Sequence, residues 1–136
     1  MKFEDMAIEA DIASAVRDVI NAGAIAAGRF ADEVIGVGPL PGTTEWEAEQ
    51  ATSVPAERTV AWHLLSLRVQ LAAGLDGIET VVVLRMQGAT WASIGRATGM
   101  SRQSAHERWG ARTAAILDPM ETGTMPAIVA DDNSVS

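Results

Sequence analysis

The feature that most constrains this chain is a glycine-punctuated stretch in its second half, Gly88-Ala89-Thr90-Trp91-Ala92-Ser93-Ile94-Gly95-Arg96-Ala97-Thr98-Gly99-Met100-Ser101-Arg102-Gln103-Ser104-Ala105-His106-Glu107-Arg108-Trp109. It reads as two short helices joined by a tight turn. Gly88 can end a preceding helix, and Thr90 can cap the next one. Trp91, Ile94, Gly95 and Thr98 fall at i, i+3, i+4 and i+7, on one helical face. Gly95 is small where two helices must cross closely. Gly99 supplies a left-handed turn residue, Met100 drops an apolar plug into the core, and Ser101 is a good N-cap for the second helix. A glycine in the turn, a small residue four positions earlier, an apolar residue just after and then serine is the layout of a helix-turn-helix.

The face of the second helix carries the chemistry. At 100° per residue, Ala105, Trp109, Arg112 and Ile116 share the inward face, with Arg112 snorkelling at its edge. Gln103, His106, Glu107 and Gly110 point outward. Arg102 flanks them on one side, Ser104 and Arg108 on the other. This surface hydrogen-bonds rather than merely carrying charge: Gln can read adenine bidentately and Arg can read guanine in the major groove. Gly110 allows close approach to a duplex, and the helix N-terminus offers backbone N–H groups to a phosphate. The expected partner is double-stranded DNA, with contacts from Thr90, Arg96, Ser101, Arg102, Gln103, Ser104, His106, Glu107 and Arg108. The plainer reading of the same surface is a solvated helix face.

Charge sharpens this expectation. The chain of 136 residues has a formal net charge of −8, which by itself argues against a polyanionic partner. Its distribution argues the other way. Arg85, Arg96, Arg102, Arg108 and Arg112 stand against Glu107 alone between residues 85 and 112, whereas residues 1–57 and the stretch from Asp118 onward are acidic. The one basic segment is where a phosphate backbone is welcomed.

The remainder reads as helical cover. A pattern from about Glu4 to Phe30 places Met6, Ala10, Ala13, Arg17 and Ile20 on one stripe and Ile8, Ile12, Ala15 and Val19 on the next. Gly36-Val37-Gly38-Pro39-Leu40-Pro41-Gly42 breaks regular structure, so residues 36–55 read as an acidic linker or loop. A second helix starts after Pro55. Val60, Leu64, Leu67 and Leu71, widened by Ala61, Trp62, Leu65 and Val69, make it apolar nearly all round, so it must be covered by the N-terminal helix or by a second subunit. Gly74 ends it. The run Thr80-Val81-Val82-Val83 has strand propensity, but Ile78, Val81, Val82, Arg85 and Met86 fit a helix, and a helix is expected from Ile78 to Gln87. The tail 118–136 has no periodicity and is expected to be disordered. The fold class is all-α. Four to five helices are expected, namely an N-terminal segment 1–35, a long apolar helix, and a trihelical unit from about 77 to 117 within a DNA-binding domain 56–117.

Other chemistries find little support. There is no cysteine, so disulfides and thiolate metal sites are excluded. His63 and His106 have no metal-ligand spacing. Gly36-Val37-Gly38 is no dinucleotide fingerprint, since Pro41 follows and no strand–helix context surrounds it. No nucleophile–base pair stands out, so neither an enzyme nor a cofactor is expected. Trp91 and Trp109 read as core. No run of 18 or more apolar residues exists, and the start Met1-Lys2-Phe3-Glu4-Asp5 lacks a signal-peptide layout; a soluble, cytoplasmic protein without membrane contact is expected.

The stretch 78–112 resembles the helix-turn-helix of many small actinobacterial and actinophage DNA-binding proteins, whose pattern is Gly-x-Ser/Thr-Trp-x-x-Ile-Gly-x-x-Leu-Gly-x-Ser-Arg-Gln-x-Ala. Ile94-Gly95 and Ser101-Arg102-Gln103-x-Ala105 are its most specific elements, and Thr98 departs from the preferred Leu. The size, the single Lys, the absence of Tyr and the arginine bias are similar to small repressors of temperate phages. That resemblance implies a transcriptional repressor that maintains lysogeny by occupying operators. A lone unit buries little DNA surface, and operators usually present two half-sites one turn apart, so a homodimer is expected. Its candidate surfaces are the N-terminal helix and the exposed side of helix 58–73. The competing expectation is a helical protein-interaction module, antitoxin-like or a polymerase-binding adaptor, without DNA readout. A regulator whose first 50 residues sense a small molecule is a third.

Overall fold

The computed structural model describes residues 2–120, and over these the chain is entirely helical. Seven helices occur in order: α1 Phe3–Glu9, α2 Ala13–Val34, α3 Thr44–Gln50, α4 Val54–Ala72, α5 Ile78–Met86, α6 Trp91–Thr98 and α7 Arg102–Leu117. The expected disorder of the tail falls, from Glu121 onward, outside the described residues. No helix among the described residues is long and apolar enough to cross a membrane.

Two expectations about the first half are corrected. The single N-terminal helix is broken at Ala10–Ile12, because the Asp11 carboxylate accepts the Ala13 N–H at 3.1 Å and starts a new helix there. A short acid side chain that satisfies a nearby backbone donor competes with helix continuation. Second, the stretch 36–55 is not all loop. Thr43 accepts the Trp46 N–H at 3.2 Å and caps α3, and an ion pair between Glu49 and Arg58 ties α3 to α4.

Helix α2 crosses α4 in antiparallel fashion. Its Gly23 meets Leu75 just beyond the end of α4, while Gly28 lies under the ring of Trp62 at the middle of α4. An added Cβ at Gly28 would stand 2.9 Å from that ring and would force it to move. Trp62 Nε1 donates to Asp32 at 2.8 Å and fixes the crossing. Ala27, Gly28 and Ala31 are the buried residues of α2. The N-terminal helix therefore covers α4, as its apolar circumference required, but only along the second half of α2.

The core lies lower down, where Leu67 of α4 meets Val81 and Leu84 of α5, Ala89, Trp91 and Ile94 around α6, and Ala105 and Trp109 of α7. Val60, Leu64, Leu71, Ile78 and Met100 pack around it. Gln70 Nε2 bridges Ser66 Oγ at 3.1 Å and Thr80 Oγ1 at 2.9 Å, joining α4 to α5 through satisfied buried polar groups. The valine-rich segment is a helix because its apolar residues must contact α4 and α7 on different sides at once, and tertiary burial overrides β-propensity.

Candidate nucleic-acid interface

Two capped helices and the corner between them build the site. Thr90 Oγ1 accepts the Ser93 N–H at 3.0 Å and opens α6. Ser101 Oγ accepts the Ser104 N–H at 3.0 Å and opens α7. Gly99 closes α6 at φ +75°, the left-handed region that favours glycine, and Met100 N–H reaches back to Gly95 O at 2.7 Å. Gly95 is the tightest point. A Cβ there would sit 2.6 Å from Met100 O and 2.9 Å from Ser101 O, both backbone atoms with no room to yield. The glycine expected to serve a helix crossing thus accommodates the turn's own backbone.

The inward face holds Trp91, Ile94, Ala105 and Trp109, all buried as expected. Trp109 is fully buried, and its Nε1 donates to Asp76 O at 3.2 Å. Farther along α7 the expected inward face is corrected. Arg112 and Ile116 are exposed, and Gly110 and Thr113 are buried instead. The short α5 and the Asp76 loop before it set this limit: α7 outruns its neighbours in the last turn, leaving Ile116 53% exposed. Arg112 makes a bidentate ion pair with Asp76 at 2.9 and 3.0 Å. That guanidinium holds the Asp76 carboxyl below the usual carboxylate range, against a smaller opposing effect of partial burial.

The outward face is also redrawn. Gln103 and Glu107 are exposed and paired with each other at 3.1 Å. His106 is half-buried, its ring edge-on to Trp91 at 5.4 Å. Gly110 lies directly beneath that ring, where a Cβ would meet His106 Nε2 at 3.1 Å. His106 and Gly110 thus form a packed seam instead of an open approach for a duplex. Ser101 and Ser104 are exposed, with hydroxyls hydrogen-bonded to each other at 3.0 Å; Thr90 is half-buried, as is Arg102, which is engaged within the chain.

The basic segment divides in the same way. Arg85, counted with the surface cations in the sequence, is 1% exposed. Its Nη1 donates to Ala89 O at 2.8 Å, and its guanidinium lies 4.6 Å from the centre of the Trp91 ring. It clamps the Gly88 turn from inside and offers nothing to a ligand. Arg96 and Arg108 are exposed, Arg108 stacking on Trp109 at 4.8 Å. Sequence reasoning missed Arg68. This exposed α4 residue joins Arg96 and Arg108 around a groove of about 780 Å³ whose floor includes Leu64, Leu71 and Met100. The only available signal was that Arg68 is the single cation on an otherwise apolar part of its helix.

No protein-family model matches the chain, and comparison with curated proteins and with solved structures gives no match. Among the described residues, no cluster of His, Asp or Glu is arranged to hold a metal ion.

Proposed function

We propose that the chain binds double-stranded DNA through α6, the Gly99 corner and α7, acting as a helix-turn-helix, and that it serves as a transcriptional repressor of the temperate-phage type. The observation that carries this reading is the corner itself. Gly95 and Gly99 bring α6 and α7 together so that Trp91, Ile94, Ala105 and Trp109 are buried while the first turns of α7 stand free, with Gln103, Glu107 and Arg108 exposed. An N-terminal helical turn with exposed hydrogen-bonding side chains is what major-groove readout uses. In this reading Gln103 reads a base edge. Arg108, Arg96 and Arg68 contact phosphates, and Ser101 and Ser104 serve the backbone at the helix N-terminus. His106 supports Trp91, and Arg85 and Arg112 hold the unit together. Two copies would occupy two half-sites.

Selection of bound sites from a random duplex library, followed by fluorescence anisotropy across a salt series, tests this. Binding should weaken steeply as salt rises. Gln103→Ala should relax preference at one base pair, by about 1–3 kcal/mol. Arg108→Ala should weaken all sequences alike and reduce the salt slope by about 1. Absence of any complex at about 50 mM salt would reject DNA binding. It would favour the second reading, a helical protein-interaction module, for which the apolar, acidic N-terminal helices speak.

A further inference from the structure

The groove between α4, α6 and α7 combines two kinds of surface. Its floor, with Leu64, Leu71 and Met100, is apolar, and its cations are Arg68, Arg96 and Arg108. No acidic side chain among the described residues lines it. All three arginines are exposed, and none forms an ion pair among the described residues. A nucleic-acid backbone neutralises cations but brings nothing apolar to such a floor. The chemistry that matches both surfaces is an apolar stretch with carboxylates beside it. Its apolar part leaves water, and its charges meet guanidiniums at the rim.

The chain itself carries such a stretch. We infer that residues 125–132, Met125-Pro126-Ala127-Ile128-Val129-Ala130-Asp131-Asp132, dock in this groove of the same molecule. Ile128 and Val129 cover the apolar floor, and Asp131 and Asp132 meet the three arginines. The first reason is charge. Residues 121–136 contain Glu121, Asp131 and Asp132 and neither Lys nor Arg, opposite in sign to the groove. The second is order. The apolar residues Ala127 to Ala130 stand directly before the acid pair, the same adjacency as floor and rim. The third is reach. From Arg108 to Leu117, α7 rises about 14 Å, whereas the chain from Leu117 to Asp131 can span up to about 46 Å. The acid pair can therefore return to Arg108, and its tether supplies an effective concentration on the order of millimolar. The other acidic and apolar segment, α1 with the start of α2, contributes no residue to the groove, and α2 is anchored to α4 where Gly28 meets Trp62.

Docking stands on the groove and the sequence alone. Its consequence for DNA rests on the reading proposed above, in which the same three arginines contact phosphates, so that the docked segment competes with a duplex. Docking is therefore tested without DNA. Because the chain has no cysteine, Asn133→Cys places a single nitroxide label just past the acid pair. In proton–nitrogen spectra of the labelled full chain, the amides of Arg68 and of Arg96, Ala97 and Thr98 should broaden. Asp131→Asn combined with Asp132→Asn should remove that broadening, and so should Arg68→Gln combined with Arg96→Gln, two exposed positions. A parent chain without the broadening overturns the docking, as does broadening that survives either pair of substitutions. Competition is read separately. A segment that fills the groove about four-fifths of the time lowers apparent DNA affinity about fivefold. Ile128→Ser combined with Val129→Ser, which leaves the net charge unchanged, should therefore bind a duplex of random sequence about fivefold tighter than the parent. Equal affinities overturn the competition. Broadening in a chain that forms no DNA complex, with or without these substitutions, supports the docking and rejects the DNA reading.

Discussion

The two ends of the described chain are both helical and both carry large apolar side chains, yet they meet opposite fates. In the C-terminal unit of α5, α6 and α7, the large apolar residues Leu84, Trp91, Ile94 and Trp109 are buried against one another and against Leu67. In the N-terminal arm, residues 3–22, the side chains of Phe3, Met6, Ile8 and Ile12 have no such neighbours and are exposed. Intrinsic helix preference does not separate them, since the arm is rich in alanine and the C-terminal unit carries glycine and β-branched residues. The difference lies in closure. The Gly88 and Gly99 turns fold three short helices back on themselves, so each covers its neighbours. Around Asp11 the chain restarts a helix without turning it into contact with the body. An apolar stripe stabilises a fold only when chain geometry supplies something to cover it.

Substitutions can break or sharpen this contrast. The largest effect is expected for Trp109→Ala, which removes a fully buried ring and its hydrogen bond to Asp76 O. It should cost about 3–5 kcal/mol in chemical denaturation, whereas Phe3→Ala should leave the unfolding of the monomer nearly unchanged. Equal losses at the two sites would abolish the distinction between unit and arm. Next comes Gly95→Ala, which forces a Cβ against the carbonyls of Met100 and Ser101. A loss of about 1–3 kcal/mol is expected by analogy with overpacked sites, and the DNA binding proposed above should fall with it if the corner sets the attitude of α7.

Arg85→Met probes the buried cation. It leaves Ala89 O without the guanidinium hydrogen bond that the fold supplies, at a cost of about 1–3 kcal/mol, while Arg96→Met on the surface should change stability by less than about 0.5 kcal/mol. The reverse ranking would show that Arg85 is not structural. The smallest effect concerns pH. The Asp76 carboxyl titrates below its ordinary value because Arg112 faces it. Its ionised form therefore stabilises the folded chain above the ordinary carboxylate range near 4, and that contribution is lost as pH falls through the lower folded value. In thermal melts, Asp76→Asn should lower the unfolding temperature slightly at neutral pH and narrow the gap to the parent under acid conditions. The pair is largely solvent-exposed, so the shift should be small. A gap that widens on acidification would contradict the assignment.

Much of the helix content and the corner were legible in sequence, because capping and left-handed turns are local. Thr90, Gly99 and Ser101 act within a few residues of themselves, and each performs the expected task. The break at Asp11 and the helix at Thr44 are also local but were masked, the first by an uninterrupted apolar period and the second by glycines and prolines just upstream. Which side chains face solvent was not legible to the same degree. Helical phase fixes an angle around the axis, but burial depends on what stands at that angle and how far it extends. Arg85 and Arg96 look alike in sequence, yet one is enclosed by the Gly88 turn and Trp91 while the other rims an open groove with Arg68, a residue 28 positions earlier. Arg112 is matched by Asp76 and His106 by Trp91 through contacts across the fold. The sequence by itself determined the helices of the C-terminal unit and the corner between α6 and α7. Tertiary packing alone decided which of its cations and polar groups are left available, because long-range neighbours choose between surface and core for a side chain that either could accept.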